Sequence, residues 1–250
     1  MWVIRSRLAA SFALALLAAC RTPGPRAPID PALSARVPEA TVALAGIDLD
    51  RLRASPLYAK LPPGALAFLA PFAHSHRVLI SSTGVELLTV ARGVVPGATQ
   101  IAPDVALSGA PGLVVAASAA HPPAGILAAG ESVAAASPLW IAVRGGVLLP
   151  LEGNLANVNN LLRAAEYVTV ALEPGDPVDL RLVARCPTPE AALHFERSFR
   201  ALVSLGIAAN GRQPTIAGLL ASIRIDREER VVRVSVSAPL DAFVKLVFPG

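Results

Sequence analysis

Two segments of the chain repeat each other, and this repeat constrains the fold more than any other feature. Residues 85–92 read Val-Glu-Leu-Leu-Thr-Val-Ala-Arg and residues 178–185 read Val-Asp-Leu-Arg-Leu-Val-Ala-Arg, so five of eight positions are identical. Both segments are rich in aliphatic and β-branched residues, which is typical of strands. The order of elements around them also agrees, so we expect an internal duplication at a spacing of about a hundred residues.

The surrounding segments give the two halves of the chain a similar order of elements. For the first half we expect the following elements: a strand at 41–47, a helix capped by Asp48, a hairpin of 77–82 with 85–92, a strand at 105–108 and a helix at 111–120. For the second half we expect these: a strand at 139–144, a helix from the cap Asn154 to Arg163, strands 167–173 and 178–185, a helix opened by Thr188 and Pro189, a short helix at 214–220, strands 222–226 and 231–237, and a helix at 239–248. These patterns predict an α+β fold of two related modules, 41–137 and 138–250, each an antiparallel sheet covered on one face by helices.

The N-terminal segment has the pattern of an export signal. Arg5 and Arg7 precede the uncharged apolar run 8–17, and small residues lead to Cys20. The run is shorter than the roughly 20 apolar residues that a membrane-spanning helix needs. The residues that follow Cys20 are rich in proline and favour an extended spacer. We therefore expect a signal peptide at 1–19 and a Pro-rich tether at 20–40.

The segment Leu17-Ala18-Ala19-Cys20 resembles the lipobox of bacterial exported lipoproteins. The resemblance implies that the Cys20 thiol receives a diacylglyceryl group and that cleavage makes Cys20 the first residue of the mature chain. Acyl chains anchor a protein because each buried methylene contributes about 0.8 kcal/mol. A plain signal peptide that happens to precede a cysteine is the alternative.

Two further stretches make the mature chain similar to a family of exported lipoproteins, mostly from Gram-negative bacteria and without an established activity. These are 48–58 (Asp-Leu-Asp-Arg-Leu-Arg-Ala-Ser-Pro-Leu-Tyr) and 186–192 (Cys-Pro-Thr-Pro-Glu-Ala-Ala). The resemblance implies a protein of the cell envelope that faces the periplasm on a lipid anchor. In the best-known lipoproteins of this kind, an Asp directly after the acylated cysteine is associated with retention at the inner membrane. Arg21 stands at that position here, so the resemblance favours the outer membrane. The quoted stretches are helix caps and strand ends, so they indicate a fold and no chemistry.

Charge and cysteine content exclude two classes of protein. The net charge of +4 falls to +2 once Arg5 and Arg7 are removed, and no run of five like charges occurs. A nucleic-acid partner is therefore not expected. With Cys20 acylated, Cys186 is the only other cysteine, so the mature chain cannot form an internal disulfide. We interpret Cys186 as a small residue of the core or of a strand end.

Alternation along the strands of the second half places a set of arginines on one face of the sheet. If the aliphatic residues of these strands face the core, the opposite face carries Arg181, Arg185, Arg224 and Arg233. This set is a candidate surface for an anion or a partner. Asp179 and Asp226 share the face, so a mixed surface that only keeps the protein soluble is the alternative.

Other polar residues provide weaker candidates. Four asparagines crowd the start of the helix that ends at Arg163: Asn154, Asn157, Asn159 and Asn160. Their amides can recognise sugars or peptide backbones, whereas an Asn154 cap with solvated neighbours is the alternative. His74 and His76 alternate along a strand and provide two metal ligands, but a third is missing, so no metal site is predicted. Capping of a helix explains Asp48 and Asp50.

No nucleophile elbow, phosphate loop or nucleotide fingerprint occurs, and no cofactor is implied. We therefore expect a non-catalytic module, tethered to the membrane, that binds another envelope protein or polymer. A carrier of lipid or another apolar ligand is the alternative, and a cavity above about 300 Å³ lined by Leu and Val would favour it. An envelope hydrolase is the third hypothesis, and a cleft with a carboxylate beside His74 or His76 would favour it.

Overall fold

The computed structural model describes residues 29–120, 124–147 and 156–248. Within them the strands are β1 (Ala43–Asp48), β2 (His74–Ser82), β3 (Leu87–Val94), β4 (Thr99–Ala102), β5 (Val105–Gly109), β6 (Leu139–Arg144), β7 (Tyr167–Glu173), β8 (Val178–Arg185), β9 (Arg224–Glu228) and β10 (Val231–Ala238). The helices are α1 (Pro31–Ser34), α2 (Leu49–Arg53), α3 (Pro63–Leu69), α4 (Pro111–Ala117), α5 (Ile126–Ala134), α6 (Ala156–Arg163), α7 (Pro189–Ala209), α8 (Pro214–Ala221) and α9 (Leu240–Val247). The predicted signal peptide, Cys20 and the Asn154 cap lie outside the described residues.

The strands form one antiparallel sheet in the order β4-β5-β3-β2-β1-β6-β7-β8-β10-β9. Outward from the central pair of β1 and β6, both halves have the same order: first, second, third, fifth and fourth strand. The central pair runs from Ala43 opposite Val143 to Ile47 opposite Leu139, so one continuous sheet joins the two halves. The α+β class with an antiparallel sheet is thus confirmed. The boundaries of the modules and the duplication itself stay predictions.

Helices cover both faces of the sheet in the first half. We define the front as the face onto which Leu44, Leu88 and Trp140 project, and the back as the opposite face. Helices α1, α4 and α5 lie on the front, where they enclose a buried cluster: Leu33, Val37, Leu44, Leu79, Leu88, Val90, Leu107, Ala117, Leu127 and Trp140. Helices α2 and α3 lie on the back, over a second cluster: Leu49, Leu52, Val78, Ala91 and Ala106, with Leu69 packed against them.

The second half has helices on the back. There α6 and α7 pack on a cluster formed by Leu161, Leu162, Val168, Ala184, Phe195 and Val232. Helix α9 adds Leu240, which packs with Val178 and with Leu57 of the first half. The expected single layer of helices therefore describes the second half, whereas the first half has a layer on each face. The reason is that β3 reads Leu-Leu-Thr-Val-Ala without polar alternation, which is typical of a strand buried on both faces.

Among the described residues, a helix covers the front of the second half only at its inner edge. Helix α5 packs on β6 and β7. Farther out, the front-facing side chains of β8, β10 and β9 are mostly exposed: Arg181, Arg185, Arg233, Ser237, Arg224, Asp226 and Glu228. This open front is the main difference between the two halves, and it carries the arginines that the strand pattern places together.

The last part of the predicted tether belongs to the folded core. Asp30 caps α1 by accepting a hydrogen bond from the Ala32 N–H at 2.9 Å. Ile29, Leu33 and Val37 are buried on the front of the first half. The expectation of a spacer up to residue 40 therefore differs from the structure at residues 29–40. Only Leu33 belongs to a helix, while Ile29 and Val37 lie on either side of α1, so no single periodicity in the sequence marks these three residues as core.

The predicted helix caps are present where the structure describes them. The Asp48 carboxylate accepts a hydrogen bond from the Arg51 N–H at 3.0 Å, and the Thr188 hydroxyl accepts one from the Ala191 N–H at 3.2 Å. Thr188 begins α7, whose Phe195 and Phe199 rings stack with centroids 6.2 Å apart.

None of the helices in the described part of the chain is long and apolar enough to cross a membrane.

Candidate functional site

Strand pairing aligns two of the four candidate arginines in one row on the front. Arg181 of β8 lies opposite Ser235 of β10, and Ser235 lies opposite Arg224 of β9. The three side chains therefore project from neighbouring positions on the same face. Arg233 lies two residues before Ser235 on β10, opposite Asp226. Arg185 lies at the end of β8, opposite Tyr167. All four arginines are on the front, as the strand pattern predicts, although pairing separates them into two groups.

The two groups differ in whether protein carboxylates already neutralise them. Arg233 donates to Glu228 at 2.9 Å, and the Arg185 Nε atom lies 3.9 Å from Glu166. By contrast, the guanidinium groups of Arg181 and Arg224 make no hydrogen bond and no ion pair within the described residues. An exposed arginine without a carboxylate is available for an anionic ligand.

A cavity of about 410 Å³ lies beside this row, and we call it the arginine groove. It is lined by Asp179, Leu180, Arg181, Ser222, Arg224, Ser235, Val236 and Ser237. The hydroxyls of Ser235 and Ser237 have no hydrogen-bond partner in the part of the chain that the structure describes, whereas the Ser222 hydroxyl donates to the Leu219 carbonyl at 2.7 Å. The arginine groove therefore presents two guanidinium groups and two available hydroxyls, with one opposing carboxylate from Asp179.

A second cavity continues the arginine groove toward the centre of the sheet. It has a volume of about 280 Å³ and shares Asp179 and Arg181 with the groove. Its other side is formed by α5 and the residues that follow it, including Val133 and Ser137. Ser137 is fixed here because its hydroxyl donates to the Leu172 carbonyl at 2.5 Å.

A third cavity, of about 340 Å³, lies at the ends of β1 and β2 and combines apolar and charged walls. Its apolar wall includes Trp140, which covers Gly46 so closely that a Cβ atom at Gly46 would come within 2.2 Å of the indole. Its arginines are paired with carboxylates: Arg77 lies 3.8 Å from Asp48 of the same wall, and Arg51 lies 3.5 Å from Glu173, which lines the second cavity. Ser137 lines this cavity as well as the second one, so the three cavities adjoin along one end of the sheet.

One histidine next to this third cavity contacts a carboxylate. The Nδ1 atom of His76 lies 2.9 Å from the Asp50 carboxylate, which lines the cavity. Both side chains are more than half exposed, at 66% and 58%. Within the described residues, no serine, threonine or cysteine side chain hydrogen-bonds to His76, and no group of three potential metal ligands occurs. The pair has the carboxylate that a hydrolase hypothesis requires but lacks a nucleophile beside the histidine.

The other candidate residues are apart from the arginine groove. Cys20 and Asn154 lie outside the described residues, and so does the side chain of Asn157. Asn160 is exposed on α6, which packs on the back of the sheet and therefore away from the arginines. The structure thus does not bring the asparagines and the arginines together.

Cys186 is a buried residue of the core, as the sequence suggests. Burial raises the pKa of its thiol, and the nearby Glu166 carboxylate raises it further. A raised pKa keeps the thiol protonated at neutral pH, and a protonated thiol is a poor nucleophile. Cys186 therefore contributes to packing within the back cluster.

Comparisons with known proteins identify no family for this chain, so the interpretation of the site rests on the residues described above. A scan against protein-family models and a search of curated proteins both find no match for the chain. Among solved structures, crystal form I of TP0453 is similar to it with a TM-score of 0.45 and 8% sequence identity, over 89% of this chain and 98% of that chain. A likeness this distant says nothing about the site.

Proposed function

We propose that the protein is a lipid-anchored protein of the bacterial cell envelope that acts as a non-catalytic binding module. Its binding surface is the open front of β8, β10 and β9, and its partner is another envelope protein or polymer. The observation that carries the proposal is the pair Arg181 and Arg224, two exposed cations that no carboxylate of the described residues neutralises. The lipobox at Leu17–Cys20 supports the anchoring part of the proposal.

The anchor is tested by the mass of the protein extracted from its own membranes. We expect a chain that begins at Cys20 and carries the added mass of a diacylglyceryl group. Replacing Cys20 with Ser removes the thiol that is acylated, so the added mass disappears and the protein leaves the membrane fraction. An unmodified chain, or membrane association that survives in Cys20→Ser, would contradict the lipoprotein assignment.

The binding surface is tested by native mass spectrometry of the gently extracted protein. We expect a protein or polymer that stays bound to the original chain and is lost from Arg181→Glu and Arg224→Glu. Arg197→Glu is the matched control because Arg197 is an exposed arginine of α7, on the back of the sheet. A partner that is lost equally from all three variants would place the contact elsewhere.

The cavities support the carrier hypothesis less well than they support the binding module. Two of the three cavities described above exceed 300 Å³, at about 340 and 410 Å³, and both have charged side chains in their walls. An apolar ligand would leave those charges desolvated. Lipid that is extracted with the protein, beyond the modification of Cys20, would nevertheless favour a carrier.

An envelope hydrolase is the third candidate, since the contact between His76 and Asp50 provides the carboxylate beside a histidine that this hypothesis requires, without a nucleophile next to the histidine. The test is hydrolysis of envelope ester and amide substrates by the original chain and by His76→Ala. Hydrolysis that is lost in His76→Ala and kept in His74→Ala would favour the hydrolase over the binding module.

A further inference from the structure

We infer that the arginine groove binds a phosphate group, held between the guanidinium groups of Arg181 and Arg224 and above Ser235. The inference rests on the proposed use of this same surface for binding and goes beyond it, because it assigns to the surface a phosphate-bearing ligand in addition to the protein or polymer partner. The phosphate belongs either to a lipid headgroup or to a water-soluble phosphate compound.

The spacing of the two arginines fits a single anion. They lie on β8 and β9 with β10 between them, so their Cα atoms are two strand spacings apart, or about 9.6 Å. Their side chains stand on the same face of the sheet. At this Cα spacing both long side chains can reach one tetrahedral oxyanion, which would accept a charge-assisted hydrogen bond of about 2.8 Å from each guanidinium group.

The available donors outnumber the oxygens of a carboxylate. Each guanidinium group presents several N–H donors in a planar fork, and the hydroxyls of Ser235 and Ser237 can donate as well. A carboxylate has two oxygens in one plane and can satisfy one fork. A phosphate directs oxygens toward both arginines and toward Ser235 at once, and it is therefore the better match.

The charges that line the groove predict how one substitution should change its affinity for phosphate. Two guanidinium groups and the Asp179 carboxylate leave one net positive charge in its wall. Asp179 lies two residues before Arg181 on the same face and opposite Ser237. Because its charge repels a phosphate, removing that charge should strengthen binding, which is a gain that misfolding cannot imitate.

The first experiment is a titration of the full chain, purified in a neutral detergent, with inorganic phosphate. We expect Arg181→Gln and Arg224→Gln to weaken binding by at least about tenfold each, because each loses charge-assisted hydrogen bonds. We expect Asp179→Asn to strengthen binding by about threefold. Arg197→Gln is the matched control: Arg197 is an exposed arginine of α7 on the back of the sheet, away from the arginine groove, and the effect of this substitution should stay within about twofold.

A second titration distinguishes the two sources of phosphate. The probes are glycerol phosphate and a short-chain phosphatidic acid in the same detergent. If the phosphatidic acid binds at least about tenfold more tightly, the acyl chains contribute and the ligand is a lipid. Equal affinity assigns the site to a water-soluble phosphate compound.

The inference is overturned if none of the phosphate probes binds, or if they bind equally to the original chain, Arg181→Gln and Arg224→Gln. That failure differs from failure of the proposed function. A partner that depends on Arg181 without any phosphate binding would overturn this inference alone. If the chain extracted from its own membranes carries no acyl group at Cys20 and still binds phosphate, the anchoring alone is overturned.

Discussion

Strands β3 and β8 occupy the same place in the two halves of the sheet, yet their front faces have opposite environments. The matching segments 85–92 and 178–185 align Leu88 with Arg181 and Val90 with Val183. Leu88 and Val90 are fully buried beneath the front helices, whereas Arg181 is exposed. One backbone position therefore belongs to the core in the first half and to the candidate site in the second half. The two side chains match their environments, an aliphatic one beneath a covering layer and a charged one on an open face.

The covering layer differs because the helix after the fifth strand takes a different side in each half. After β5, α4 crosses the front and packs Leu113 and Val114 against the buried cluster there. After β10, α9 lies on the back, where Leu240 packs with Val178. The same strand order thus occurs with a closed front in one half and an open front in the other. The open front is the region in which charged side chains can face a ligand.

Exchanging the two side chains should have the largest effect. We expect Leu88→Arg to destabilise the fold by at least about 4 kcal/mol, because it buries an unpaired charge in a closely packed cluster. We expect Arg181→Leu to change the free energy of unfolding by less than about 1 kcal/mol, because the site is exposed. Chemical denaturation of both variants measures the difference.

The control for this exchange is Leu205→Arg, since Leu205 is 65% exposed on α7. It introduces the same side chain at a surface position and should have little effect on stability. Equal destabilisation by Leu88→Arg and Arg181→Leu would contradict the distinction between a closed and an open front.

The next effect concerns α1, which helps to close the front of the first half. Leu33 is 1% exposed, and we expect Leu33→Ala to lower the free energy of unfolding by about 2–4 kcal/mol through the cavity that it leaves. Leu66→Ala is the control because Leu66 lies at the surface, at 36% exposure. If both variants unfold with the original midpoint, residues 29–40 act as a tether after all, and the first half is less closed than described.

The sequence predicts the strands better than the layers that cover them. Strands β2, β3, β7, β8 and β10 are read correctly because apolar runs between turn residues have few other solutions. The sequence patterns do not predict the short strand β4 or the helix α5. β4 has only four residues, and α5 lies in an Ala-rich stretch without the polar alternation that marks a helix face. The side of the sheet that a helix covers depends on packing, which no local pattern contains.

The candidate site is predictable in composition but not in arrangement. Alternation places Arg181, Arg224 and Arg233 on one face, and it places Ser235 there as well, although hydroxyls attract less attention than guanidinium groups. What selects Arg181 and Arg224 from the set is the pairing of β10 with both β8 and β9. Neutralisation of Arg233 by Glu228 likewise depends on register. A shift by one residue would exchange the faces, so tertiary pairing decides the site.

The smallest effect concerns the layer on the back of the second half, where Glu196 joins α7 to β9. Its carboxylate accepts hydrogen bonds from Arg200 at 3.1 Å and from Arg227 at 2.9 Å. These contacts, with Arg200 first, lower the pKa of Glu196 below its ordinary value of 4.5. A carboxyl group with a lowered pKa in the folded state stabilises the fold above its unfolded pKa, and this contribution is lost as the pH falls through the folded pKa.

We therefore expect Glu196→Gln to cost about 1 kcal/mol at neutral pH, measured as a shift in the thermal midpoint, and progressively less below pH of about 4. Glu39→Gln is the control, since Glu39 is exposed and has no side-chain partner within the described residues. A difference between Glu196→Gln and the original chain that stays constant at acidic pH would show that packing, and not the ion pairs, holds α7 to β9. In that case apolar contacts, such as those of Phe195 within the back cluster, would hold the back layer of the second half.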